Sequence, residues 1–61
     1  MKNIESKWLL DSEGRSDEWY RDRIEYLLDF ITDERAEVLS RTLDSRTRYM
    51  TICMENTYHA Q

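Results

Sequence analysis

A chain of 61 residues with 39% apolar and 36% charged side chains, one Gly, one Cys and no Pro can bury only a thin core. Cys53 has no partner in the sequence and no Cys/His group has zinc spacing, which excludes a disulfide scaffold or zinc module and points to a reducing, cytoplasmic setting. Thirteen acidic against nine basic side chains, a net charge of -4, argue against a generic polyanion binder.

The amino-terminal stretch mixes lysines with acids. Its longest apolar run, residues 8–10, is too short for the core of a signal peptide, and no run approaches a membrane span. No membrane partner is therefore expected. Charge is unevenly spread. Residues 1–31 hold five basic and eight acidic groups, whereas residues 40–61 hold Arg41, Arg46 and Arg48 against Asp44 and Glu55. Arg outnumbers Lys seven to two, so most of the positive charge sits on planar, multi-donor groups.

Residues 1–16 read as a flexible extension. Trp8, Leu9 and Leu10 form a small apolar knot that docks on the first helix or meets a partner, followed by a loop in which Gly14 is the flexible point. Ser16 with Asp17 and Glu18 is a cap-plus-acid helix start. Tyr20, Ile24, Leu27 and Ile31 then recur at helical spacing, widened by Leu28 and bordered by Trp19, Tyr26 and Phe30. A helix over about 17–31 is predicted. Its aromatic face exceeds what one short neighbour covers, so part of it is expected against a larger body.

Thr32 with Asp33 and Glu34 repeats the start signal. It opens a second helix over about 33–44 with Ala36, Leu39 and Leu43 inward; Arg41 in its last turns suits the negative end of the dipole. From Tyr49 to Met54 the chain is uncharged and rich in β-branched and aromatic residues. That reads as a strand buried on both faces, of the kind found in parallel sheets covered by helices. A lone strand of this kind points to a larger α/β body, with residues 55–61 as the loop past its carboxyl end.

Residues 24–61 resemble the amino-terminal part of the TrmH/SpoU family of RNA methyltransferases. The resemblance lies in Arg46, Thr47, Arg48 and Tyr49, a strand at 50–54, and the loop Glu55, Asn56, Thr57 and Tyr58. Ala60 stands where the family has proline, and Gln61 stands just before its motif asparagine. The resemblance implies a knotted α/β domain of the SPOUT type, of which this chain is the truncated start: a helical arm over 17–45 and the first strand within 46–61. It further implies S-adenosylmethionine as cofactor of the complete enzyme, a homodimer, and methyl transfer to a ribose 2'-hydroxyl of tRNA or rRNA. No catalytic, cofactor-binding or metal-binding residue falls within these 61 positions on that reading, and the chain alone is expected to be inactive.

In an extended segment Arg46 and Arg48 point to the same side, where they grip adjacent phosphates or else make surface ion pairs with Asp44 and Glu55. Arg41 is a weaker RNA contact. Glu55 and Asn56 are expected to shape the loop. Cys53 is expected as a packed thiol without a base to activate it. His59 is poised to titrate near neutrality but lies at the end, and Tyr58 is placed to stack on a base or to do nothing. The competing reading is a small non-enzymatic helical interaction module that presents Trp19, Tyr26 and Phe30 to a protein partner.

Overall fold

A computed structural model describes residues 4–57. Those residues form four α-helices: α1 (Lys7–Asp11), α2 (Asp17–Leu27), α3 (Asp33–Thr42) and α4 (Ser45–Asn56), with a 3-10 turn, Leu28–Phe30, closing α2. No strand occurs among the described residues; the sole extended pairing is an isolated parallel bridge between Ile4 and Thr57.

Three of the helix starts share one device. Ser16 accepts from the Trp19 amide at 3.2 Å, Thr32 from Arg35 at 3.1 Å and Asp44 from Thr47 at 2.8 Å, each satisfying a backbone donor that the first turn leaves free. Asp17 and Glu18, then Asp33 and Glu34, place acids at the positive ends of α2 and α3. The predicted starts of α2 and α3 therefore hold. α2 tightens into its 3-10 turn after Leu27, and α3 ends at Thr42. Gly14, at φ +73°, supplies the left-handed residue of the α1–α2 loop.

The strand expected at 50–54 is corrected: those residues lie in the middle of α4. Two physical reasons account for the misreading. The Asp44 cap commits Ser45 onward to a helix of 12 residues, twice the usual strand length. α4 also packs against α1, α2 and α3, so much of its circumference is covered. Tyr49, Ile52 and Cys53 are fully buried and Met50 and Thr51 half-buried. A helix at the centre of a bundle loses its charges on several sides, as a strand within a sheet does. The α/β fragment is thereby overturned in favour of a small helical bundle.

The core comprises Ile4, Tyr20, Ile24, Leu27, Leu39, Tyr49, Ile52 and Cys53, with Trp8, Leu9, Trp19, Phe30, Ile31, Leu43 and Met50 packed around it. Two tyrosine hydroxyls fasten the segment before α2. Tyr20 donates to the Ser12 carbonyl at 2.5 Å, and Tyr49 to the Trp8 carbonyl at 2.9 Å. The Ile4 amide donates to Asn56 O at 3.1 Å. Residues 4–16, read from the sequence as an extension, thus include α1 and supply core.

Candidate functional site

One concavity among the described residues is a groove of about 310 Å³. Ile24, Leu28 and Ile31, from α2 and the turn after it, form one wall. Ala36, Glu37 and Ser40 of α3 form the other, and Arg48 and Ile52 of α4 form the floor. It exists because α3 touches the bundle lightly. α3 buries Leu39 fully and is clipped to α4 by a 2.7 Å ion pair from Arg35 to Glu55, while small side chains, Ala36 and Ser40, face the space towards α2. Leu28 is 45% exposed at the rim. The volume sits at the small end of ligand pockets and suits a few side chains.

Arg48 lies in the groove with its Nη2 donating to the Leu43 carbonyl at 3.1 Å. Its Nε is enclosed without an acceptor among the described residues. Arg46 lines a different cavity of about 250 Å³ between α1 and α4, with Leu9, Leu10, Tyr20 and Met50. Residues two apart on a helix do not share a face, so the extended-chain argument that put both arginines on one side does not apply. Arg41 is exposed on α3. The three arginines offered as RNA contacts thus occupy separate places.

Glu55 and Asn56, expected to shape a loop, are the last turns of α4. Glu55 pairs with Arg35, and Asn56 donates through Nδ2 to the Ile52 carbonyl at 2.8 Å. Tyr58 and His59 lie outside the described residues. Cys53 is fully buried, and burial pushes its thiol above the usual range, the opposite of what an activated nucleophile needs.

The aromatic trio of the competing reading is divided. Trp19 is half-buried, stacked edge-on against Tyr20 and Tyr49 with ring centroids 5.3 Å away in each case. Phe30 packs against the core. Only Tyr26 stands out, 65% exposed. Arg23 lies over Trp8 with its Cζ 4.3 Å from the ring centroid, between Trp19 and Tyr26. Trp8 docks on α2 through that contact. Sequence reasoning missed both this stack and the groove. Alternating cations and aromatics hinted at the first, and nothing local to one segment encodes the second.

Fold and surface together define a small helical bundle with an open apolar groove. Comparison with protein-family models, with curated proteins and with solved structures finds no match. The resemblance to TrmH/SpoU methyltransferases is therefore corrected on two grounds: no family model matches, and the phrase Arg46 to Tyr49 opens a helix where that family needs its first strand. The SPOUT fold, the role as an RNA methyltransferase fragment and S-adenosylmethionine as cofactor rested on that resemblance and fall with it. Among the described residues no group of three or more His, Cys, Asp or Glu side chains is placed to hold a metal ion, and no helix is long and apolar enough to cross a membrane.

Proposed function

We propose that this chain is a small helical protein-interaction module whose contact surface is the groove between α2 and α3. The observation that supports it is the groove's apolar lining. A chain this small gains stability only by burying what apolar surface it has, yet Leu28 and Ile31 flank an opening instead of closing it. Apolar side chains left at a concavity are the usual mark of a contact surface. The surface differs from the aromatic trio anticipated from sequence, since two of those three rings serve the bundle's own packing.

The test is site-specific photo-crosslinking in cells that express the chain, with a benzophenone amino acid in place of Leu28 or, as a control, of Glu18 on the exposed start of α2. A discrete protein adduct at the first position and not at the second is expected. No adduct at position 28, the same adducts at both positions, or an RNA adduct in place of protein, rules the reading out.

A further inference from the structure

We infer that α3 is a hinged strap, released from the bundle as a unit while α1, α2 and α4 stay packed, and that its release turns the groove into an open apolar face. Both of its joints are built to turn. Ile31 and Thr32 before α3, and Leu43 and Asp44 after it, are extended, so two non-helical residues separate it from each neighbouring helical segment. A few residues at an element's ends suffice to absorb the backbone rotation of a moving part. The caps keep the joints distinct. Thr32 bonds into α3 and Asp44 into α4, so neither helix loses its first turn when the angle between them changes.

The anchorage of α3 is thin. α2 buries Tyr20, Ile24 and Leu27, and α4 buries Ser45, Tyr49, Ile52 and Cys53, whereas α3 buries Leu39 alone. Among the described residues, the one side-chain bond that leaves α3 runs from Arg35 to Glu55, between side chains 44% and 46% exposed. α1 is shorter, yet hydrogen bonds from Tyr49 to Trp8 and from Tyr20 to Ser12 fasten it to the core. An exposed ion pair adds little and weakens with salt. The element with fewest buried apolar contacts is the one that opens at least cost. When it opens, Ile24, Leu28 and Ile52 remain on the body, while Ala36, Glu37 and Ser40 leave with α3. The device stands whether or not a partner occupies the groove.

The experiment is native-state amide hydrogen exchange on the intact chain, read residue by residue under conditions where exchange follows the opening equilibrium. A helix of 10 residues is marginal in water once undocked, so release of α3 exposes its amides. Those of Glu37 to Arg41 should exchange together, at least about tenfold faster than those of Ile24, Leu27, Ile52 and Cys53. Glu55→Gln breaks a contact that the released form lacks, and should speed α3 exchange about twofold to fivefold. Tyr49→Phe deletes a bond that the released form keeps. It should speed exchange in α2 and α4 by about fivefold or more and leave α3 unchanged. Leu39→Ala should strip protection from α3 while the amide shifts of α1, α2 and α4 remain those of a folded chain. Exchange of α3 at the pace of α2 and α4, or equal acceleration of all three by Tyr49→Phe, would make the bundle one cooperative unit and overturn the strap. Unchanged α3 exchange in Glu55→Gln would mean fraying within a docked helix and would overturn it too, as would unfolding of the whole chain by Leu39→Ala.

Discussion

The hydroxyl of Tyr49 donates to the main-chain carbonyl of Trp8 at 2.9 Å, joining residues 41 positions apart. Tyr49 is fully buried at the centre of α4, so this bond connects the last helix to the first through the middle of the core. Burial holds the phenol far above its ordinary value of 10.0, and it remains a donor throughout the physiological range.

Tyr49→Phe keeps the ring and deletes that bond, leaving the Trp8 carbonyl without this partner. A loss of about 1–2 kcal/mol is expected, with the thermal midpoint lower by roughly 4–8 °C per kcal/mol for a domain of this size. Thermal denaturation followed by Trp fluorescence measures it. An unchanged midpoint would mean that the bond contributes nothing net.

Acid should loosen the start of α4. Asp44 is held below the ordinary carboxylate value of 3.8, first by its hydrogen bonds from Thr47 and then by Arg46 and Arg48 nearby. Because the folded value is the lower one, the stabilisation is present above the unfolded value and fades as pH falls through the folded value. Asp44→Asn retains a capping oxygen and should flatten this part of the acid limb in urea titrations taken at successive pH values. An identical acid limb in the variant would exclude Asp44 as a contributor.

Alkali acts in the opposite sense. Burial raises the Cys53 thiol above its ordinary 9.0, and Tyr49, raised further, follows it. For acids with raised folded values, stability is intact below the unfolded values and declines once pH exceeds them. Destabilisation should therefore begin above about pH 9 with Cys53, and Cys53→Ala should delay its onset. In native protein a thiol reagent should react with Cys53 far more slowly than in denatured protein. Equal rates would place the thiol at the surface.

The helical state of residues 45–56 has its own test. Thr51→Pro removes a main-chain donor and crowds the preceding turn, at a cost of about 3 kcal/mol or more in a helix interior. That is on the order of the whole stability a core this small supplies, so the variant should lose its far-ultraviolet helical signal. Retention of the signal would contradict a continuous α4.

How much of this was legible from sequence follows from the range of each signal. The caps Ser16 and Thr32 act within four residues, and the stripe Tyr20, Ile24, Leu27 within one helix; both could be read directly. Asp44 carries the same local signal, three residues before Thr47, but it also falls where the apolar pattern of α3 runs out after Leu43. Read apart from that cap, the uncharged run from Tyr49 to Met54 is short enough to pass for a strand. The groove depends on how lightly α3 leans on α4, a matter of Ala36, Ser40 and the Arg35–Glu55 clip acting across separate helices. No window of sequence contains that information.

The bridge between Ile4 and Thr57 brings the two edges of the described chain to one point on the bundle. Topologically the fold is nearly a ring. A host polypeptide that enters at Ile4 and leaves at Thr57 would not be stretched, so the bundle is suited to being spliced into an exposed loop of an unrelated carrier. In such a chimera the groove would ride as a self-contained cassette, turned by whichever loop received it.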